Sequence, residues 1–346
     1  MTVLRIRGVG LPDGETIDLY ADGDRWTTEP APGAELVADG WILPGLVDVH
    51  THPGAAKPGD PLDEKVLRDD LRLQVATGVT LIRSPGLAGE PPEWFGRDPD
   101  VPRAVHAGPW LARHGAFFDG WGRRAEPAEL PELAAAQAGR TGWAKIIADW
   151  TLESEPLSFA TLRAVVERVH AVGGRLAVHS QHLAGGTAAV DAGVDSVEHG
   201  MGLDPAALDR MVANRVAFTP TLSVLQTGLA RALARPESPT RTWYVGGASA
   251  HPALVAAAAE AGVTVLAGTD SRPHGGIATE VRALAAAGVP AHTALGAASW
   301  VARDFLGLPG LVDGAPADAV VYARDPRTQL EELDHPQAVI LRGVLI

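Results

Sequence analysis

The chain has 346 residues, 46% hydrophobic and 21% charged, with a formal net charge of −13. That composition suits a soluble globular protein with one large core, or a large domain and a small one, and its acidic balance argues against a nucleic-acid partner. The absence of cysteine excludes a disulfide framework, a thiolate metal site and a cysteine nucleophile. No apolar run approaches the ~20 residues of a membrane span, and no Gly-rich phosphate loop is present. The start, Met1-Thr2-Val3-Leu4-Arg5-Ile6-Arg7, lacks the apolar core of a signal peptide, so a cytoplasmic protein without membrane contact is expected. Of 29 cationic residues only Lys57, Lys65 and Lys145 are lysine, so each lysine position asks for a reason.

Residues 1–43 read as short alternating strands with turns at Pro12-Asp13-Gly14 and Asp22-Gly23-Asp24. The C-terminal part, 308–346, has the same character, with apolar runs at Ala319–Tyr322 and Ala338–Ile346. Neither piece can bury a core alone, so the two ends are expected to pair as one small β-sandwich domain. Residues 44–307 alternate between strand and helix. Strands are expected at Leu43–Val49, Val79–Arg83, Arg103–Ala107, Trp143–Ala148, Arg175–Val178, Asp195–Glu198, Val216–Pro220 and Val263–Gly268. Helices are expected at Asp63–Thr77, Pro127–Ala138, Ser158–Ala171, Gly186–Ala192, Asp204–Ala213, Pro252–Ala261, Ile277–Ala287 and Ala291–Gly307, many closed by glycine, Gly139 among them. This alternation predicts an α/β protein whose larger part is a (β/α)8 TIM barrel; a doubly wound open sheet is the alternative.

The strand ends carry the chemistry. The first strand runs Leu43-Pro44-Gly45-Leu46-Val47-Asp48-Val49-His50-Thr51-His52, and residues two apart on a strand point the same way. The fourth carries Lys145, the fifth ends at His179, the sixth at His199 and the eighth at Asp270. In a parallel barrel these ends meet on one face, where they form a candidate divalent-metal site. Zinc suits imidazole and carboxylate ligands; manganese, iron or cobalt also fit. Lys145 sits inside an apolar strand of an arginine-rich chain. Unlike arginine, a buried lysine amine can lose its proton and capture carbon dioxide as a carbamate, giving N6-carboxylysine. The alternative is an ordinary ammonium at the barrel mouth or paired with Asp149 or Glu198. His106 reads as a core histidine and His251 as the first turn of a helix.

With these residues assembled, the chain resembles the amidohydrolase superfamily along nearly its whole length, and within it the imidazolonepropionase-like and prolidase-like branch. The segments similar to that family are Leu43–His52, Ala192–Gly200, Gly268-Thr269-Asp270 and Gly314–Val321, with Lys145, His179, His199 and Asp270 in the family's order. The departures, Ala148-Asp149-Trp150-Thr151, Arg113-His114-Gly115 and Ile82-Arg83-Ser84-Pro85, all fall at the barrel mouth, where substrate is chosen.

The resemblance implies His50, His52 and Asp270 on one metal, His179 and His199 on a second, and carbamylated Lys145 bridging them. A metal-bridged hydroxide would attack the carbonyl of a small-molecule substrate, with Asp270 as general base and then general acid. The expected substrate is a dipeptide, an N-acyl amino acid or a cyclic amide. Arg83, Arg113, His114, Trp150, His182 and His274, together with Arg123, Arg124, Trp110 and Trp121, are candidate substrate contacts at or after the strand ends. Two readings compete: a mononuclear imidazolone-ring hydrolase or deaminase with a bare Lys145, and a catalytically silent interaction protein. A homo-oligomer is possible under each.

Overall fold

The computed structural model describes residues 3–346; Met1 and Thr2, where the small domain was expected to begin, lie outside the described residues. The parallel strands are nearly continuous apolar runs because helices cover one face and the interior the other. Leu46–Asp48 pairs with Val79–Ser84, which pairs with Arg103–His106. The chain then turns through Ala107–Trp110, and Leu111–Arg113 pairs instead with Trp143–Ile147. From there Arg175–Ser180, Ser196–His199 and Ala217–Thr219 follow in parallel order.

The expected eighth strand is irregular yet makes bonds on both sides. The Phe218 N–H donates to the Thr264 carbonyl (2.9 Å) and the Leu266 N–H to the Phe218 carbonyl (2.8 Å). On the other side the Val49 N–H donates to Ala267 (3.0 Å) and the Asp270 N–H to His50 (2.7 Å), so this segment links the seventh strand to the first. Gly268 is needed there, because a Cβ would collide with that of His50.

The two chain ends do pair. Ala319–Tyr322 runs antiparallel to the end of Glu35–Pro44, in a seven-stranded mixed sheet with Ala338–Leu341, Val344–Leu345, Leu4–Gly10, Glu15–Asp22 and Arg25–Thr27. It is one sheet that folds back: the Trp26 N–H donates to the Ala315 carbonyl (2.8 Å), closing the edge strand over a core of Ile6, Leu19, Trp26, Ile42, Val321 and Ile340. Gly45 hands the chain from this sheet to the first parallel strand, and a Cβ at that position would collide with Thr80.

Helices mostly fall where the caps predict. Asp63 accepts from the Val66 N–H (2.9 Å) at the start of Glu64–Ala76, and Ser158 from the Thr161 N–H (3.2 Å) at the start of Phe159–Ala171. Three expectations are corrected. The helix expected to close at Gly139 runs Leu130–Thr141 and ends at Gly142, whose φ of 81° is the left-handed cap. The helix expected from Pro252 is Pro239–Glu260, with Pro252 inside it, preceded by an unforeseen helix Leu222–Leu233. His251 is therefore a buried mid-helix residue whose Nε2 bonds to the Pro220 carbonyl (3.1 Å). Ala291–Gly307 divides into Ala291–Ala297 and Trp300–Phe305, because Ser299 turns its hydroxyl to the Pro44 carbonyl (2.7 Å). Among the described residues no helix is long and apolar enough to cross a membrane.

Candidate metal centre

His50 and His52 leave the first strand with their Nε2 atoms 3.1 Å apart, and Asp270 Oδ1 lies 3.8 and 3.4 Å from them. These three form a compact group with ligand atoms within 4.8 Å of one another. The outer nitrogen of each imidazole is already committed. His50 Nδ1 bonds to Glu198 Oε2 at 2.6 Å, and His52 Nδ1 donates to the Gly86 carbonyl at 2.7 Å. Each Nδ1 therefore holds the proton, and each Nε2 lone pair is free to face the centre, the form in which imidazole takes a metal.

His199 brings its ring within 4.9 Å of His50 and 4.5 Å of His179; its Nδ1 is 2.9 Å from the Thr221 hydroxyl and 3.9 Å from Asp270 Oδ2. His179 Nε2 and Lys145 Nζ are buried without a hydrogen-bond partner. The ion pairs considered for Lys145 do not form. Asp149 is engaged by the Ser180 hydroxyl (2.6 Å) and the Gln181 N–H (2.7 Å), while Glu198 is engaged by Arg83 (2.7 Å), Ser196 (2.5 Å) and His50. The structure thus gathers His50, His52, His179, His199 and Asp270 at one set of strand ends, with Lys145 buried beside them.

Two buried carboxylates hold this arrangement, and the sequence reading gave neither that role. Glu198 lies beneath His50 and is braced by Arg83, whose Nε also donates to the Val49 carbonyl (2.7 Å). Asp48 accepts from the Thr269 N–H (3.0 Å), the Thr269 hydroxyl (2.7 Å), Gln74 (3.1 Å) and the His50 N–H (3.2 Å), tying the ends of the first and eighth strands together. The alternation of the motif could have flagged both, since each stands two residues from a histidine or next to one on a buried strand. His199, Asp270 and Thr221 have φ of 65°, 45° and 48°, conformations non-glycine residues avoid and functional sites tolerate.

Burial dominates the electrostatics. It lowers the His50 pKa to about 4, against the pull of Glu198, and puts His52, His179 and His199 well below the ordinary histidine value, so all four are neutral at pH 7. Burial also lowers Lys145 to about 8 and raises Asp270 to about 7, the latter opposed by Lys145 and helped by Asp48 and Glu198. For Glu198 burial alone would raise the pKa; Arg83, Lys145 and His50 together bring it well below the usual carboxylate value.

Above these residues opens a cavity of roughly 380 Å³. Trp150 lines it, as expected, and so does His274, although its side chain is buried and held by Thr51 (2.9 Å) and Asp70 (3.3 Å). Other substrate candidates are placed elsewhere. Arg83 is fully buried in the Glu198 ion pair, because a charge inside the interior needs its partner there. Arg113 turns outward to Glu155 (3.8 Å), His114 is exposed beside it, and neither lines the cavity. His182 packs its ring on Trp243, 4.9 Å away, also outside the cavity lining. Arg124 donates to the Trp121 and Phe118 carbonyls (2.6 and 2.7 Å) and so shapes a loop, and Trp110 is core, stacked on Trp121 at 4.7 Å. Sequence reasoning missed Phe117, Phe118, Lys57, Arg231 and Tyr244, all of which line the cavity. They sit on loops and helices whose orientation no local pattern encodes.

Parallel strands flanked by helices, with imidazoles and a carboxylate converging at the strand ends, define an α/β fold bearing a possible divalent-metal site. The sequence pattern of the Amidohydrolase family matches residues 104–346, and the chain belongs to that family, hydrolytic enzymes that act on carbon–nitrogen bonds. It is 42% identical to the uncharacterized proteins Rv2915c of Mycobacterium tuberculosis (strain ATCC 25618 / H37Rv) and Mb2939c of Mycobacterium bovis (strain ATCC BAA-935 / AF2122/97), covering 98% of this chain and 95% of each of them. Among solved structures it resembles an Xaa-Pro dipeptidase with bound methionine (TM-score 0.84, 22% identity, 100% of both chains). It also resembles a putative prolidase from Bifidobacterium longum (0.83, 23%, 100% of this chain and 94% of that one) and the ochratoxinase of A. niger (0.81, 19%, 100% and 96%). At these identities the structural likeness is one of fold.

Proposed function

We propose that this protein is a binuclear metallohydrolase that cleaves an amide-type carbon–nitrogen bond. The observation that carries the reading is the pair of buried, partnerless nitrogens, Lys145 Nζ and His179 Nε2, beside the His50, His52 and Asp270 group. Buried polar atoms without partners are costly, and here the donor types suit a cation. The residues therefore fit the metals the family implies. His50, His52 and Asp270 would hold one divalent ion, zinc by ligand type, and His179 and His199 a second. Lys145 would bridge them as the carbamate: its neutral amine adds to carbon dioxide, one N–H proton leaves, and a carboxylate results.

Ions bound there would supply Lewis acidity and bring the pKa of water toward neutrality. The chain's own residues do the rest. Asp270 takes a proton from the attacking water and returns it to the departing nitrogen. Glu198 and the Gly86 carbonyl keep the proton on Nδ1 of His50 and His52, and Asp48 keeps Asp270 in register with them. The same reading takes the two parallel sheets, joined through the irregular eighth segment, as parts of one (β/α)8 barrel over residues 44–307. It takes 1–43 and 308–346, whose described strands form one folded sheet, as the family's β-sandwich domain. Dipeptides, N-acyl amino acids and cyclic amides are the substrate classes, in keeping with the dipeptidase and prolidases among the fold's relatives.

The compact His50, His52 and Asp270 trio would also serve a mononuclear centre with a bare Lys145, suited to imidazolone rings or deamination. Metal analysis on protein purified with zinc and 13C-bicarbonate separates the two. Two ions per chain and a carbamate carbon signal that Lys145→Gln abolishes are expected. One ion and no such signal would remove the bridge. A melting temperature and turnover both indifferent to chelator would sink the metal-dependent reading.

A further inference from the structure

The cavity has two unlike walls. One is aromatic: Phe117, Phe118 and Trp121, from the excursion after the third strand, and Trp150, after the fourth. Phe118 and Trp150 meet edge to face at 4.7 Å, and Trp150 is 5.4 Å from the His179 ring, so this surface begins directly above the centre. The other wall comes from the two helices that follow the seventh strand and presents Val224, Leu225, Arg231 and Tyr244. The first wall follows the third and fourth strands and the second follows the seventh, and both line the one cavity that has His52, His179, His199 and Asp270 in its lining.

Charge on these walls is one-sided. Asp270 is the sole carboxylate lining the cavity among the described residues, and the proposed reaction uses it. Three cationic side chains line it besides the histidines. Arg272 is committed to Asp70 through two bonds of 2.8 and 3.1 Å, whereas Arg231 and Lys57 form no ion pair among the described residues. In a chain of net charge −13 an unpaired guanidinium facing a cavity stands out. Arg231 and Tyr244 also border an adjoining concavity lined by Arg235, Ser238, Thr240 and Arg241; Arg241 is 3.8 Å from Glu237, and Arg235 forms no ion pair among the described residues.

Building on the hydrolase reading, we propose that the substrate is an N-acyl amino acid with a flat apolar acyl group and a free α-carboxylate. The acyl group lies on the wall of Phe117, Phe118, Trp121 and Trp150, and Arg231 binds the carboxylate. Hydrolysis breaks the acyl carbon–nitrogen bond, water giving its hydroxyl to the acyl carbon and its proton to the nitrogen, and releases a carboxylic acid and an amino acid. A dipeptide fits less well, because the cavity lining offers its α-ammonium no carboxylate besides Asp270, which the reaction uses. Lys57, on the exposed loop after the first strand, stands on the aromatic side and is not the anchor.

The test compares N-benzoylglycine, its uncharged amide N-benzoylglycinamide and the free-amine dipeptide phenylalanylglycine on the zinc-loaded full chain. Turnover is measured on the wild type, and equilibrium binding, by tryptophan fluorescence, on Asp270→Asn. A charge-assisted contact predicts that the carboxylate compound exceeds its amide by roughly tenfold or more in kcat/KM and in affinity. Arg231→Gln should bring that ratio to about one, chiefly through KM, while Arg231→Lys retains part of it and Lys57→Gln leaves it in place. A ratio unchanged in Arg231→Gln, one abolished by Lys57→Gln instead, or a preference for phenylalanylglycine would overturn the inference while leaving the hydrolase reading intact. Arg231-dependent binding to Asp270→Asn without turnover of any amide by the wild type would do the reverse.

Discussion

The floor and the mouth of the cavity are built in opposite ways. At the floor the histidines stand at or just past strand ends, and three of them are gripped by buried partners: His50 by Glu198, His52 by the Gly86 carbonyl, His199 by Thr221. At the mouth, Phe117, Phe118 and Trp121 hang on a loop shaped by Arg124, and Arg231 projects from an exposed helix end. The floor is preorganised because its chemistry tolerates little displacement. The mouth can vary without disturbing the strands, which is how one fold changes substrate.

The contrast breaks most sharply at the floor. Asp270→Asn should lower kcat by about 10²–10⁴-fold while much of the metal stays bound, because only the proton transfer is lost; turnover within a few-fold of wild type would remove its role. Glu198→Gln should be milder in chemistry but wider in effect. It loosens the His50 ring, which typically costs about 10–100-fold in metal affinity. It also leaves the Arg83 guanidinium buried with a neutral partner, so the melting temperature of metal-free protein should fall as well. Unaltered zinc affinity by competition with a chelator would show that Glu198 does not orient His50.

At the mouth, Trp150→Ala should raise KM for an aromatic amide by about two- to tenfold, the range of one aromatic contact, with kcat and zinc content nearly unchanged. A kcat effect exceeding the KM effect would mean that the mouth and floor are coupled. The smallest effect concerns Asp70, which connects the two regions by holding His274 and Arg272. Burial works to raise its pKa, but His274, the Gly54 N–H and Arg272 hold it below the ordinary carboxylate value. The folded state thus binds fewer protons than the unfolded one near that pKa. The stability this confers is present above the unfolded carboxylate range and lost as pH falls through the folded value. Asp70→Asn should therefore flatten the acid limb of melting temperature against pH below about pH 4, where unfolded carboxylates begin to protonate. An unchanged limb would place the acid sensitivity elsewhere.

Much of the floor was legible because strand periodicity and chain order are local signals: His50 and His52 two apart, then Lys145 inside an apolar run, and His179, His199 and Asp270 each closing one. Glu198 and Asp48 were visible but unassigned, since a buried carboxylate shows its purpose only through what it touches. Arg83 was misjudged for the same reason: an arginine at a strand end reads as a substrate anchor until its buried partner on another strand is known. Pro252 misled the helix assignment, because a proline is compatible with a helix start and here lies inside a long helix held by packing.

The sequence by itself determined the alternation of strands and helices, the pairing of the two chain ends and the identity of the side chains at the strand ends, because these follow from periodicity, capping and composition. Only the tertiary structure decided which buried carboxylate steadies which histidine and which loops wall the cavity. It alone brought Arg231 and Trp150 to the lining of one cavity and withdrew Arg83 and Arg113 from it. Those relations join residues far apart in the chain, and their free energy arises from burial and charge pairing that exist only once the interior has closed.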